Sequence, residues 1–460
     1  MRNPWRRVAW PVIRAQPPTH DRLHRLAIKS GKAAEVLLFL SGFFCDKGAA
    51  KQQGYAMTDR AHPGPAPAAT PKKKKKGSLA RLWLLIHGWL ALPLWAYVFF
   101  ICVTGTIATI SHELIWLTNA DVRAIRPEGA EERLGADALA AAVAEQRPGS
   151  RVSAISWPVE THFAPTVTVS DAKGESATLY VNPYDGRVQG MAGTVGFRYF
   201  IRALHGWLFL PWTGGYSWGW YAVSFMGLPM IGSLITGILV YKKFWRAYFK
   251  PRLRIGKGAR TFWGDFHRLA GIWSIPFVAI IGVTGTWFFL EALLSDNGVT
   301  VSTAGIPVVL EREAVPVAAH RSDLPPVSLD AIIASARAAH PGLHVDFLSL
   351  PADAFSPASI FGRSTFPLFY ETASINPYDG EVVKLRRVSD KSMVELVTDS
   401  MYPLHFGDFL GVWLKLVYFI FGVLLSMMVL SGMLIWTRRT ARETGAFIAE
   451  RRAARLEPAE

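Results

Sequence analysis

HGWLALPLWAYVFFICVTGT, residues 87–106, and HRLAGIWSIPFVAIIGVTGT, residues 267–286, decide the reading of this chain. Each stretch opens on a histidine and reaches a Val-Thr-Gly-Thr sequence sixteen residues later, at Val103-Thr104-Gly105-Thr106 and at Val283-Thr284-Gly285-Thr286. Both lie inside long apolar runs, Leu82–Ile110 and Phe262–Leu290. A bilayer core about 30 Å thick needs roughly 20 apolar residues per helix. Two further runs meet that length, Trp218–Tyr241 and Val412–Trp436. The pattern predicts four membrane spans. The whole chain agrees: half of its 460 residues are hydrophobic and 17 are Trp, a balance too apolar for an ordinary soluble protein of this size.

The repetition extends past the spans. Arg147-Pro148-Gly149, Trp157-Pro158 and Asn182-Pro183-Tyr184-Asp185-Gly186 recur in order as His340-Pro341-Gly342, Leu350-Pro351 and Asn376-Pro377-Tyr378-Asp379-Gly380. Leu204-His205-Gly206 and Leu404-His405-Phe406 come just before the second and fourth spans, which carry Thr236-Gly237 and Ser431-Gly432 near their far ends. Each half therefore reads as span, outer module, span, in a parallel repeat. Within each module an Ala-rich helix, at Ala136–Gln146 or Leu329–His340, precedes a small antiparallel sheet with strands such as Pro165–Val169 and Ala177–Val181. The Asn-Pro-Tyr-Asp-Gly sequence is read as a turn, with Pro presetting the backbone and Asp and Gly closing it. The expected organisation is a tail at 1–78, spans within 79–117, 199–246, 262–294 and 402–437, modules at 118–198 and 295–401, a loop at 247–261 and a tail at 438–460.

The formal net charge of +15 is placed as an orientation signal. Lys72–Lys76 precede the first span; Lys242, Lys243, Arg246, Lys250, Arg252, Arg254, Lys257 and Arg260 fill the short middle connection; Arg438, Arg439 and Arg442 follow the last span. Most acidic residues lie in the two long connections. By the positive-inside rule both termini and the middle loop are cytoplasmic and the modules are periplasmic, in a bacterial inner membrane. The basic clusters face anionic membrane lipid, and no nucleic-acid partner is expected. Only Cys45 and Cys102 are present, so there is no disulfide framework and no CxxC redox motif. Residues 1–56 are Arg-rich and irregular, and the expected start of the protein proper is Met57.

At these residues the chain resembles the PepSY-associated transmembrane family, which includes the FoxB-type and PiuB-type inner-membrane proteins. The twin Asn-Pro-Tyr-Asp-Gly turns, the His-plus-sixteen spans and the Leu-His elements carry the resemblance, from about Leu79 to Arg442. It implies an α-helical membrane protein with periplasmic α+β PepSY modules. It also implies a haem-containing reductase of ferric siderophores, and speaks more firmly for the fold than for the substrate.

Four histidines stand at repeat-matched positions. His87 and His267 begin the first and third spans; His205 and His405 precede the second and fourth. Topology sorts them into an inner pair and an outer pair, each drawn from both halves. Neutral imidazoles are axial ligands for haem iron, and a helix bundle offers a cavity for the macrocycle. The expectation is two non-covalent, bis-His b-type haems, since no Cys-x-x-Cys-His attachment motif exists; plain hydrogen bonding at the headgroup level is the alternative. His112 competes for the outer site, although its counterpart in the other half is Ala292. His162, His320, His340 and His344 are expected at the module surface. Arg268 and Arg202 are candidates for the haem propionates, with snorkelling to the interface as the alternative. Trp207, Trp212, Trp218 and Trp220 are read as an interfacial belt.

No Ser-His-Asp set, zinc motif, P-loop or dinucleotide fingerprint is present, so an electron donor must be another molecule, either quinol or a separate flavoprotein. The leading expectation is a di-haem reductase of periplasmic ferric siderophore. The alternative is a membrane-anchored PepSY binding or regulatory protein without redox activity; a transporter fits less well, for want of a broken-helix carboxylate site.

Overall fold

The computed structural model describes residues 83, 84, 86–88 and 94–456, apart from 130, 131, 172, 194, 195, 242, 243, 300, 302–307, 326 and 327. Met57 and the Lys72–Lys76 run lie outside them. A helical stretch at 86–88 carries His87. The elements that follow are α1 (Trp95–Thr109), α2 (Ser111–Thr118), α3 (Ala136–Gln146), β1 (Arg151–Ser156), β2 (Thr166–Ser170), β3 (Ser176–Val181) and β4 (Val188–Met191). Then come α4 (Phe197–Gly206), α5 (Trp218–Ser224), α6 (Gly227–Val240), α7 (Phe244–Phe249), α8 (Ala259–Trp273) and α9 (Ile275–Asp296). The chain ends with α10 (Leu329–Ala339), β5 (His344–Ser349), β6 (Ala358–Arg363), β7 (Glu371–Ile375), β8 (Val382–Arg386), α11 (Met393–Phe406) and α12 (Gly411–Leu456).

Among the described residues, three helical segments are long and apolar enough to cross a membrane: Trp218–Val240, Ile275–Asp296 and Gly411–Arg438. Trp95–Thr109 with Ser111–Thr118 makes a fourth if the bent pair is one span; the bend is 52°. Hydroxyl groups flank the break: Thr109 Oγ1 donates to the Gly105 carbonyl and Ser111 Oγ to the Ala108 carbonyl, the back-bonding that bends helices. In the bundle α1 packs on α4 and α12, α9 packs on α5, α6 and α11, and α8 packs on α12. Small residues allow close approach. A Cβ on Gly227 would lie 2.5 Å from the Thr286 nitrogen, and one on Gly422 would lie 2.6 Å from Thr106 Oγ1. The second Thr of each Val-Thr-Gly-Thr sequence thus faces a glycine on a helix of the other half.

The expectation of two small sheets is corrected. Strands β1–β8 form one antiparallel sheet in the order β4-β3-β2-β1-β5-β6-β7-β8. At the seam Ala154, Ile155 and Ser156 pair with Ser349, Leu348 and Phe347. The Trp157 N–H donates to the Asp346 carbonyl at 2.8 Å and the Leu350 N–H to the Ser153 carbonyl at 2.9 Å. The reason is edge satisfaction: β1 and β5 are the strands whose backbone groups would otherwise stand unpaired at the rim of a four-stranded sheet. Leu139 and Val143 of α3 and Ile332 and Ala336 of α10 pack into one core with Ile155, Val167, Leu179, Leu348, Ile360 and Ile375. Each large side chain buried there contributes roughly 1.5–3 kcal/mol.

The two module helices also cap each other. Asp330 accepts from the Ala136 N–H at 2.8 Å and the Asp137 N–H at 3.2 Å. Asp137 accepts from the Leu329 N–H at 2.7 Å, the Asp330 N–H at 3.2 Å and the Ser328 hydroxyl at 2.8 Å. Each carboxylate meets the unsatisfied N–H groups and positive dipole end of the opposite helix. The Asn-Pro-Tyr-Asp-Gly segments are turns as expected. Asp185 accepts from the Arg187 N–H and Asp379 from the Glu381 N–H, while Gly186 and Gly380 take φ of 72° and 76°.

The sheet is fastened to the helices through α2 and α12. Lys415, 7% exposed, bonds Glu113 at 2.9 Å and Glu160 at 3.0 Å. His112 stacks on Phe163 with ring centres 3.8 Å apart.

Candidate functional site

The four repeat-matched histidines meet as two pairs. The rings of His87 and His267 are 6.3 Å apart, centre to centre, at 72°; those of His205 and His405 are 6.2 Å apart at 27°. His205 and His405 stand on α4 and α11, the helices that follow the last strand of each half of the sheet. Thr284, which contacts His405, lies 17 residues beyond His267, about 25 Å of helix at 1.5 Å per residue. The two pairs occupy different levels of the bundle.

Every Nδ1 atom in the set meets a buried hydroxyl on a neighbouring helix. His87 Nδ1 is 3.0 Å from Thr236 Oγ1, and His267 Nδ1 is 3.0 Å from Ser431 Oγ and 3.0 Å from the Met428 carbonyl. His205 Nδ1 is 3.3 Å from Thr104 Oγ1 and His405 Nδ1 is 2.8 Å from Thr284 Oγ1. The hydroxyl protons are already committed. Thr104 donates to the Phe100 carbonyl, Thr236 to Gly232, Thr284 to Ile280 and Ser431 to Met428. A hydroxyl has one proton to give, so with it on these carbonyls each oxygen accepts from its imidazole. The Met428 carbonyl, which can only accept, places the His267 proton on Nδ1; the same arrangement at the other three rings leaves Nε2 as a lone pair with no hydrogen bond among the described residues. An acceptor on the far ring nitrogen is what fixes the tautomer of a metal-binding histidine.

Glycines give the rings room. A Cβ on Gly105 would come within 2.7 Å of the His205 ring, one on Gly432 within 3.2 Å of His267, and one on Gly237 within 3.5 Å of His87. In Thr104-Gly105, Thr236-Gly237 and Ser431-Gly432 the dipeptide thus serves two purposes: hydroxyl to the ring nitrogen, glycine beside the ring edge; Gly285 faces Gly227 instead. Phe288 packs against His405, with ring centres 5.1 Å apart.

The other candidates are placed as follows. Arg202 lies over the Phe406 ring at 4.7 Å, one residue from His405. Arg268, next to His267, bonds Asp265 and the Gly264 carbonyl. His112 is stacked on Phe163, and among the described residues no second histidine ring contacts it. His340, expected at the surface, is 2.8 Å from Glu371, whose side chain is 3% exposed. Burial pushes the Glu371 carboxyl up, but bonds from Ser364, the Val388 N–H and His340 outweigh it and hold the group below its ordinary value. Trp218 is 79% exposed, whereas Trp207 and Trp220 both pack against Trp212. Among the described residues no group of three or more His, Cys, Asp or Glu is assembled to hold a bare metal ion.

The comparisons bear on this arrangement. A family model described as the PepSY-associated TM region matches residues 84–439, which takes in all four histidines. An uncharacterised protein of Pseudomonas aeruginosa is 26% identical over 234 residues, covering 48% of this chain. The chain spans 59% of that relative's length.

Proposed function

Since the chain belongs to the PepSY-associated transmembrane family, we propose that it is a multi-pass membrane reductase that holds two b-type haems, one between His87 and His267 and one between His205 and His405. The ring geometry carries the reading. A ring nitrogen lies roughly 2 Å from a first-row metal and the ring centre about 1 Å beyond it, so two imidazoles that would share one iron would have centres about 6 Å apart. The observed separations are 6.3 and 6.2 Å. All four Nε2 atoms are unprotonated in the hydrogen-bond network, as ligation requires. Bound there, haem supplies one-electron chemistry at two depths of the membrane.

The chain's own groups position and tune. Thr104, Thr236, Thr284 and Ser431 hold the rings oriented through Nδ1. Arg202, over the ring next to His405, and Arg268, next to His267 and shared with Asp265, are the candidate cations for carboxylate side groups of the cofactor. In this reading the four spans form two parallel repeats in a bacterial inner membrane, with the termini cytoplasmic and the sheet periplasmic. That orientation rests on the basic residues of the middle loop and the C-terminal tail. The substrate is a ferric siderophore reduced on the sheet-bearing side, and the donor is quinol or a separate flavoprotein.

The test is a pyridine haemochrome count on purified protein. We expect two haems per chain, falling towards one in His267→Ala and in His405→Ala, with different spectral components lost. Retention of both low-spin haems in all four single His→Ala variants would remove these residues from the ligand role. A colourless, folded protein would favour a membrane-anchored PepSY binding protein instead.

A further inference from the structure

The connection from α6 to α8 folds over a cavity of about 370 Å3 that five cations line: Arg246, Lys250, Arg252, Arg254 and Arg268. Its one acid is Asp265, 4% exposed. That carboxylate is fully used. Arg254 grips it in a fork, at 2.7 Å from Nε and 3.0 Å from Nη2, its own N–H adds a third bond at 3.2 Å, and Arg268 closes the other side. Arg246, Lys250 and Arg252 are exposed and have no carboxylate partner among the described residues. Three unmatched cations around one concavity repel each other unless an anion joins them.

The surroundings say where that anion comes from. Trp245, Tyr248 and Phe249 of α7 are exposed, as is Trp273 at the end of α8, and the Tyr248 and Trp273 rings lie 6.0 Å apart. Aromatic rings beside cations at the end of an apolar helix belong at headgroup level. The cavity wall continues into Leu269 and Ile272, apolar surface on which a hydrocarbon chain can lie. The feature also breaks the repeat: Asp265-Phe266-His267-Arg268 stands where the first half has Leu85-Ile86-His87-Gly88, so the charged collar is built on one histidine helix and absent from its counterpart.

We propose that this cavity is a binding site for the phosphodiester headgroup of an anionic phospholipid. The Arg254–Asp265–Arg268 cluster forms its rigid floor, Arg246, Lys250 and Arg252 supply the charge, and the aromatic residues of α7 and α8 anchor the rim. The inference depends neither on haem nor on which side of the membrane the loop faces.

Native mass spectrometry of the full chain, delipidated in detergent and titrated with phosphatidylglycerol or phosphatidylcholine, tests it. Each cation near an anionic lipid surface is worth about a fivefold change in affinity, so three are worth about a hundredfold. The wild type should prefer phosphatidylglycerol by about that factor. The Arg246→Gln/Lys250→Gln/Arg252→Gln variant should lose the preference. Lys257→Gln/Arg260→Gln, which removes cations from the same connection outside the cavity lining, should keep it within twofold. Equal binding of the two lipids by the wild type, or equal loss in both variants, overturns the proposal. Displacement of phosphatidylglycerol by equimolar inorganic pyrophosphate also overturns it, in favour of a soluble phosphate ligand. Should the triple variant misfold, the wild-type lipid comparison decides alone.

Discussion

At Thr284 a single hydroxyl proton decides the state of the ring opposite. Because it goes to the Ile280 carbonyl at 2.7 Å, the oxygen can only accept from His405, and the imidazole is left with its lone pair on the far nitrogen. Thr284→Val keeps the shape and removes the acceptor. On the proposed ligation, loss of such a partner costs about 10–100-fold in metal affinity, so the variant should give up a haem bound at this pair at correspondingly lower concentrations of a competing haem acceptor such as apomyoglobin. Thr104→Val should have the smaller effect, since its contact with His205 is 3.3 Å against 2.8 Å. Equal haem retention in both variants and the wild type would show that the hydroxyls do not tune ligation. The histidines were legible in the sequence because the repeat doubled them. The role of the hydroxyls was not, although Thr104, Thr236, Thr284 and Ser431 all stand in motifs visible in both halves. Which oxygen faces which ring depends on how two helices lie together, and sequence spacing carries no record of that.

Between elements, the reciprocal caps of α3 and α10 make two helix starts one unit. Removing a cap of this type costs about 0.5–2 kcal/mol. Asp137 and Asp330 each accept from the other's backbone N–H, so Asp137→Ala and Asp330→Ala should be non-additive, with a coupling of at least about 0.5 kcal/mol in a thermal-unfolding cycle. The cap also has a pH signature. Burial raises the Asp137 carboxyl, but the Leu329 N–H, the Ser328 hydroxyl and the Asp330 N–H together hold it below its ordinary value of 3.8. A depressed carboxylate stabilises fully above its unfolded value and loses that contribution as pH falls through the folded one. The melting-temperature gap between wild type and Asp137→Asn should therefore persist at neutral pH and shrink only below pH 3.8; a constant gap down to pH 2.5 would rule this out. Helix boundaries at this scale are legible: the Ala-rich pattern gives Ala136–Gln146 as it stands, and Leu329–Ala339 to within one residue. The β1–β5 seam is not. Alternation along a strand reports which face is buried, but says nothing about which strand lies at its edge.

For the whole molecule, a buried lysine helps to tie the sheet to the helices. Replacing Lys415 by Met would leave Glu113 and Glu160 facing each other without their shared cation. Breaking a buried ion pair costs about 3–5 kcal/mol, and here the loss falls on the contact between the two layers. Lys415→Met should lower the melting temperature and speed proteolysis of the loop at 157–164, with the haem count unchanged; wild-type protease resistance would refute this. At this scale the apolar runs and the paired turns gave the plan, while the fused sheet comes from contacts far apart along the chain and the bend between α1 and α2 from side-chain hydroxyls that bond carbonyls of the preceding turn. The fused sheet has a consequence for assembly. A chain ending after the first half would present β1 as a bare edge and start α3 without the Asp330 cap. An antiparallel seam is self-complementary, so two such half-length chains related by a two-fold axis would close each other's edges and cap each other's helices. The present molecule is built like that homodimer with its two subunits written into one polypeptide, which frees each half to vary alone, as the charged collar beside His267 has.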